Sequence, residues 1–354
     1  MIDNNLTSKR KKDHLSICIQ NQVEAGSTLF DDIHLVHSAL PECNMDDIDI
    51  SVNFLGNNLK SPLFISSMTG GHPDTIHINK VLAEVSELYG IGMGVGSQRA
   101  ALENPELIDS FSVVRDVAPH AYICGNIGVV QLVEHGIEWA DKAIDMIDAN
   151  ALCVHLNFLQ ESLQSEGDHS AVGCLNAIKD LCHDVKYPII VKETGSGISE
   201  RTASKLWEAG VSAIDVGGYG GTSWSKIEGF RSSKSTDTCD KILSNLSGWF
   251  NTWGIPTAVS VFEVSKGNKG PVIATGGIRS GIDIAKSISI GADMGGMALP
   301  LLKPALSGID ATCKFIDLIH LQLRISMFLT GSKTISDLKH AQKYITGTLS
   351  EIIK

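Results

Sequence analysis

The chain has 354 residues, of which 43% are hydrophobic and 19% are charged, and it contains 34 glycines. This composition supports a large buried core and argues against disorder as the main state of the chain. A formal net charge of -11 argues against a general nucleic-acid binder, because such proteins need a broad basic face to neutralise phosphates.

The cysteines and the amino-terminal stretch bear on the compartment. The eight cysteines include no C-x-x-C pair, and several lie inside apolar runs, which is typical of reduced core residues rather than a zinc ribbon or a disulfide framework. The amino-terminal stretch lacks the apolar segment of a signal peptide, and no apolar run is long enough to span a bilayer. We therefore expect a soluble, cytoplasmic protein without a nucleic-acid or membrane partner.

Strand-like and helix-like segments alternate after an amino-terminal extension. Residues 1–61 predict a polar leader followed by short segments, with a hairpin turn at 55–58. Eight apolar runs then predict strands at 62–68, 90–96, 121–125, 151–157, 188–192, 213–217, 271–275 and 292–299. Stretches with helical spacing separate most of them, at 76–89, 105–118, 139–147, 172–183, 199–209 and 281–290.

The alternation repeats about every 30 residues, which predicts an α/β fold, a (β/α)8 TIM barrel over residues 62–354. Further helices at 306–329 and 335–349 are expected to close it. A doubly wound open sheet is the rival, but it would concentrate its glycines after the first strand, whereas here glycines end many strands. The connection over 217–271 is unusually long, and we expect it to include an active-site loop before its helix.

The fourth predicted strand ends in a cluster of polar residues: His155, Asn157, Gln160 and Glu161. Parallel barrels build their sites at the carboxyl ends of strands, so this cluster is a candidate site. Glu161 is a lone carboxylate that would suffice for Mg2+, which often takes one or two carboxylates and completes its shell with water and phosphates. A solvated surface charge explains Glu161 equally well.

Two other strand ends predict a site for an anion. The segment Gly276-Gly277-Ile278-Arg279 follows a strand and opens a helix, which suits a phosphate, although a structural turn also explains the paired glycines. Lys192 ends the fifth strand, where burial without an anionic partner is costly, so we expect a negatively charged ligand. An ion pair with Glu193 or Asp215 is the alternative.

The motifs taken together resemble those of a known family. They are Arg10-Lys11-x-Asp13-His14, Met68-Thr69-Gly70-Gly71, Gly96-Ser97-Gln98-Arg99, His155-Leu156-Asn157-x-x-Gln160-Glu161, Val191-Lys192-Glu193, Gly220-Gly221-Thr222-Ser223-Trp224 and Thr275-Gly276-Gly277-Ile278-Arg279. Together they resemble type 2 isopentenyl diphosphate isomerase, over almost the whole chain. The amino-terminal motif, otherwise readable as a solvated tail, and the fourth-strand motif are the specific part.

This resemblance implies an FMN-dependent isomerase of isoprenoid biosynthesis that interconverts isopentenyl and dimethylallyl diphosphate, with Mg2+ and with NADPH or another reductant. It implies FMN contacts from Ser67, Met68, Thr69, Ser97, Asn126, Lys192, Thr222, Gly276, Gly277, Arg279 and Ala298. Arg10, Lys11, Arg99, His155, Asn157 and Gln160 would hold the substrate, with His155 and Gln160 as the catalytic candidates, and Glu161 would bind Mg2+. We also expect a homo-oligomer.

The chemistry moves a double bond by adding one proton and removing another, so the site must be dry and electron-rich. Nothing in the fourth-strand stretch is an acid–base pair strong enough for this, so we expect reduced FMN to transfer the protons while Gln160 orients the alkene. Glu161-bound Mg2+, Arg10 and Lys11 would anchor the diphosphate.

Three other functions of a barrel of this kind fit the sequence less well. A dehydrogenase or oxidase of a small hydroxy acid needs a histidine base near the late strands, and residues 219–290 contain no histidine. A nucleotide dehydrogenase could use Cys239 as its nucleophile, but no histidine lies beside it and only Lys241 could activate it. A flavin-binding barrel without catalysis leaves the basic amino-terminal motif unexplained.

Overall fold

The amino-terminal extension contains one α-helix, three short strands and two 3-10 helices of three residues each, Phe30–Asp32 and Met45–Asp47. The computed structural model describes residues 4–354. Up to residue 61 the α-helix and the strands are α1 (Asn4–Gln20), β1 (Ile33–Leu35), β2 (Val52–Phe54) and β3 (Asn57–Leu59). The predicted hairpin is present, with β2 and β3 antiparallel around Leu55 and Gly56. The basic amino-terminal motif, predicted as part of a polar leader, lies within α1.

Eight parallel strands close into a barrel in chain order, with the last strand paired to the first. They are β4 (Leu63–Ile65), β5 (Gly92–Gly94), β6 (Tyr122–Gly128), β7 (Ala151–Leu156), β8 (Ile189–Glu193), β9 (Ala213–Asp215), β10 (Val272–Ala274) and β11 (Met294–Met297). Each lies within or overlaps a predicted run, and the predicted (β/α)8 barrel is confirmed. The strands are buried on both sides because helices cover the outside and side chains fill the inside.

Helices surround the barrel and follow its strands. They are α2 (Ile76–Tyr89), α3 (Arg99–Glu103), α4 (Asp109–Val117), α5 (Val129–Met146), α6 (Phe158–Ser162), α7 (Cys174–Asp184), α8 (Glu200–Glu208), α9 (Trp224–Ser232), α10 (Thr238–Ser247), α11 (Thr257–Ser265), α12 (Gly281–Ser289), α13 (Leu299–Ser307), α14 (Ile309–Leu329), α15 (Ile335–Lys339) and α16 (Gly347–Ile352). None of those in residues 4–354 combines the length and apolarity needed to cross a bilayer.

Two predictions of local structure are wrong. The segment 335–349 is not one helix, because β12 (Lys343–Ile345) separates α15 from α16 and pairs antiparallel with β1. A strand there completes a two-stranded sheet with β1, a long-range pairing that local helical spacing does not reveal. The long connection after β9 does include a loop before its first helix, as predicted, but it contains three helices, α9, α10 and α11, where one was expected.

The β2–β3 hairpin closes one end of the barrel. Phe54 and Leu59 pack against Phe64 and Tyr122 in a buried cluster with the barrel interior, and the rings of Phe54 and Tyr122 meet edge to face at 5.7 Å. This apolar plug fills the barrel below the polar residues that follow the strands. The site is therefore built at the carboxyl ends.

Candidate active site

One large cavity lies at the carboxyl ends of the barrel strands and beneath α1. Its volume is about 1550 Å³ including its solvent-open mouth. Every residue that the sequence assigned to cofactor, substrate or metal lines it: Arg10, Lys11, Ser67, Met68, Thr69, Ser97, Arg99, Asn126, His155, Asn157, Gln160, Glu161, Lys192, Thr222, Gly276, Gly277, Arg279 and Ala298. The structure thus brings these residues together, whereas their individual roles remain predictions.

Helix α1 covers part of the mouth of this chain's own barrel. Ile17 is buried against Val23 and Ile227, and the ring of His14 meets that of Trp224 edge to face at 5.1 Å. These apolar contacts hold the helix on α9, so Arg10 and Lys11 face the cavity. Burial, and then the neighbouring charge of Arg10, lower the pKa of Lys11 to about 8.

The segment after α1 is also attached to the mouth. The backbone N–H of Ala25 donates to the carbonyl of Gly221 at 3.0 Å, and the N–H of Ser223 donates to the carbonyl of Val23 at 2.8 Å. Glu24 accepts from the guanidinium of Arg279, with Nε at 2.8 Å. Arg279 therefore has a structural partner that the sequence did not reveal.

His155 is buried and its ring is oriented by an amide. Its Nδ1 lies 2.9 Å from Oδ1 of Asn126, whose own Nδ2 donates to the carbonyl of Val95. The amide orientation makes Nδ1 the donor, so the neutral ring keeps its lone pair on Nε2. Burial, and then the charges of Lys192 and Lys11, lower the pKa of His155 well below its ordinary value. The ring is therefore neutral at pH 7.

Lys192 does not form the ion pair offered as its alternative explanation. Its Nζ donates to the carbonyl of Glu193 at 3.1 Å, and among the described residues no carboxylate lies within ion-pairing distance of it. The Glu193 carboxylate instead accepts the N–H groups of Thr194 and Gly195, each at 2.6 Å. Asp215 accepts from Thr275. Asp215 and Glu193 interact with the charge of Lys192 only from beyond ion-pairing distance, so this buried ammonium can still bind an anionic ligand directly.

Glu161 is buried and already oriented. Asn157 Nδ2 donates to its Oε1 at 2.7 Å, and the backbone N–H of Asp168 donates to its Oε2 at 3.0 Å. No cluster of three or more metal-ligating side chains occurs in the described part of the chain. A single fixed carboxylate fits Mg2+, which keeps several waters and takes phosphate oxygens, and does not fit a transition metal.

Gln160 is held by a carboxylate that sequence reasoning missed. Its Nε2 donates to Oε1 of Glu228 at 3.0 Å, and Gln164 donates to the same oxygen at 2.6 Å. His14 Nε2 lies 2.9 Å from that oxygen, while Arg231 Nε donates to Oε2 at 2.7 Å. Burial opposes ionisation, but His14, Arg231 and Gln160 outweigh it and lower the pKa of Glu228. The only sequence signal was a Glu–Arg pair three residues apart in the long connection.

The ends of β4 and β10, where the family resemblance implies FMN contacts, offer polar groups that lack protein partners. Ser66 Oγ and Ser67 Oγ are buried and have no hydrogen-bond partner among the described residues. Gly276 and Gly277 have φ of 95° and 74°, and a Cβ on Gly277 would lie 2.6 Å from the carbonyl oxygen of Gly220. Orphaned hydroxyls beside a closely approaching backbone fit a bound polar cofactor.

Comparison with known proteins gives close relatives over nearly the whole length. Residues 149–345 match the family model described as FMN-dependent dehydrogenase. A protein named isopentenyl-diphosphate delta-isomerase from Methanoregula boonei is 56% identical over 98% of this chain and 96% of its own. Proteins of the same name from Methanococcoides burtonii and Archaeoglobus fulgidus are 51% and 48% identical, each over 98% of this chain and over 95% and 98% of their own.

Solved structures share the fold at much lower identity. A mandelate oxidase superposes with a TM-score of 0.64 at 13% identity, covering 98% of this chain and 97% of its own. A lactate oxidase from Pediococcus acidilactici gives 0.65 at 16% identity, covering 97% and 93%. At such identity these structures establish the barrel and carry no argument about the reaction.

Proposed function

The chain belongs to the isopentenyl-diphosphate delta-isomerase family. From that premise we propose which residues hold the diphosphate, the flavin and the metal, and which residues direct the proton transfer. The protein is an FMN-dependent isomerase that interconverts isopentenyl and dimethylallyl diphosphate. One observation carries the assignment of residues. Four cationic side chains, those of Arg10, Lys11, Arg99 and Lys192, line the same cavity as the polar residues at and after the end of β7, which are His155, Asn157, Gln160 and Glu161.

The flavin would be held along the barrel mouth. We assign its contacts to Ser67, Met68, Thr69, Ser97, Asn126, Lys192, Thr222, Gly276, Gly277, Arg279 and Ala298. The orphaned hydroxyl of Ser67 and the unpaired ammonium of Lys192 support this placement. Bound and reduced, FMN supplies an electron-rich surface and a proton-transfer group.

The diphosphate would lie beneath α1. Arg10 and Lys11 on that helix and Arg99 on α3 provide charge-assisted donors, and Asn157 adds an amide. Glu161 would hold Mg2+ against the same phosphate oxygens. His155 presents the lone pair of Nε2, so at neutral pH it would accept a hydrogen bond from a metal-bound water or a protonated phosphate rather than donate to an oxyanion.

Gln160 would orient the alkene. The carboxylate of Glu228 accepts a hydrogen bond from the Gln160 amide and so fixes its orientation. A fixed amide preserves the geometry needed for proton delivery to one carbon of the alkene. Leu15 and Cys18 of α1 also line the cavity, and they help to keep water from a cation-like intermediate.

The test is an anaerobic incubation of the purified protein with isopentenyl diphosphate, FMN, Mg2+ and NADPH. Conversion to dimethylallyl diphosphate without net NADPH consumption supports the isomerase, and it makes NADPH a reductant of the cofactor only. Stoichiometric NADPH oxidation coupled to substrate would instead indicate a dehydrogenase. Omission of Mg2+ should abolish conversion by the wild type. Glu161→Gln should change how conversion depends on the Mg2+ concentration.

The assembly and compartment are proposals of the same kind. We propose a cytoplasmic homo-oligomer, supported by eight free cysteines and by the exposed apolar side chains Leu318, Leu321 and Ile325 on α14. Light scattering on the purified protein tests this, since a monomer has a mass of 37.9 kDa.

A further inference from the structure

A loop after α6 contacts two groups of the site from outside the cavity. The backbone N–H of Asp168 donates to Glu161 Oε2 at 3.0 Å, and the carboxylate of Asp168 accepts from Arg99 Nη1 at 3.1 Å. Gln131 Nε2, from α5, donates to the same Asp168 oxygen at 3.1 Å. Arg99 and Gln131 line the cavity, whereas Asp168 does not.

The loop is fixed against Glu161 by close backbone packing. A Cβ on Gly167 would lie 1.9 Å from the carbonyl oxygen of Glu161, so only glycine fits there without a shift of the backbone. A ring nitrogen of His169 lies 3.2 Å from the same carbonyl oxygen. Asp168 is therefore presented from a fixed segment.

The guanidinium of Arg99 is clamped on two sides. Glu103 accepts from Nε at 2.8 Å and Asp168 accepts from Nη1. Two carboxylates on different edges fix the plane of the group, and no described residue hydrogen-bonds Nη2. Nη2 of Arg99 is therefore available to bind an anion in the cavity.

We propose that Asp168 is a positioning residue for diphosphate binding, holding Arg99 and Gln131 so that their donors face the phosphates. This inference deepens the function proposed above and rests on it. The side chain of Asp168 acts on Arg99, while its backbone N–H acts on Glu161. A side-chain substitution at 168 therefore separates the two effects.

The experiment compares Asp168→Asn with the wild type by calorimetric titration of inorganic pyrophosphate and by steady-state kinetics. Loss of the charged clamp should weaken pyrophosphate binding and raise KM by about fivefold, the range of a partly exposed ion pair, with kcat changed less. Mn2+ affinity, measured by electron paramagnetic resonance, should stay at the wild-type value because the N–H to Glu161 remains. The exposed Asp180→Asn on α7 is the matched control.

Unchanged or tighter pyrophosphate binding in Asp168→Asn would overturn the proposal, as would a fall in kcat alone. If the wild type itself neither binds pyrophosphate nor isomerises, the proposed function fails instead. Gly167→Ala provides a second measurement. It should shift both pyrophosphate and Mn2+ affinities, since it displaces the backbone that contacts Glu161, and wild-type values for both would also contradict the proposal.

Discussion

The ammonium of Lys11 is a site cation with a lowered pKa. Its pKa of about 8 lies below the ordinary lysine value, so the group is protonated below pH 8 and loses its charge above it. We expect kcat/KM for the diphosphate to fall as pH rises through about 8, because this ratio reports on the free enzyme. Lys11→Arg should keep the charge and move that fall to higher pH, whereas the exposed Lys9→Arg should leave the profile unchanged. An identical profile in Lys11→Arg would assign the titration to another group.

A second prediction at the scale of residues concerns the carboxylate of Glu228. Glu228→Gln keeps the size of the side chain but removes the charge that accepts from Gln160, Gln164 and Arg231. We expect kcat to fall by about a hundredfold, the order of effect of a misplaced catalytic group, with a smaller change in KM. Gln160→Ala should show a similar loss, and the double variant little more than either alone, since both act through one amide. Exposed Glu106→Gln is the control.

Sequence reasoning located the residues of the cavity better than their partners. Lys192 stands out because it ends a buried strand, and Glu161 because it is a lone carboxylate shortly beyond one. Glu228 and Asp168 do not, because each lies in a connection whose fold was not predicted. The pairing of Glu24 with Arg279 joins positions 255 residues apart, and no local pattern encodes such a contact.

At the scale of elements, α12 and α14 pack so closely that one glycine is required between them. A Cβ on Gly281 would lie 2.1 Å from the carbonyl oxygen of Ile319 and 2.6 Å from the N of Leu323. Gly281→Ala should therefore lower the free energy of unfolding by about 2–3 kcal/mol through overpacking. Gly248→Ala is the matched control, because a Cβ added there would meet nothing within 4 Å and its φ of -57° suits alanine. Equal urea midpoints for the two variants would contradict this packing.

Elements with strong periodicity were predictable, and elements set by distant contacts were not. Helix α2 was predicted at its observed limits because its apolar positions recur at helical spacing and Gly90 ends it in the left-handed conformation. Helix α1 has weak amphipathicity and is held instead by the packing of Ile17 on α9. The division at residue 61 into an extension and a barrel stays a prediction, although β1 pairs with β12 across it.

At the scale of the molecule, β12 and α16 attach the end of the described chain to its beginning. Leu349 is 1% exposed, and its N–H donates to Asp32 at 2.9 Å. A chain that stops after Gln342 should lose at least about 2 kcal/mol of stability, the value of burying one leucine, and β1 loses its partner. Thermal unfolding against a variant lacking only the exposed Lys354 measures this. An unchanged midpoint would mean that the pairing adds nothing to stability.

The barrel as a whole was the most predictable feature, because eight buried runs at a regular period leave few other folds. The closing hairpin, by contrast, was predicted as a turn but not as a plug, since its place under the barrel depends on Phe54 and Leu59 meeting side chains from distant strands.

The position of α1 over the cavity has a practical consequence for anyone who handles the protein. An affinity tag or fusion partner joined ahead of this helix would be attached directly to the element whose residues Arg10, Lys11 and His14 line the cavity. Kinetic constants measured on such a fusion would report on the tag as well as on the enzyme. Cleavage of the tag before assay, or its attachment after the exposed Lys354, avoids that error.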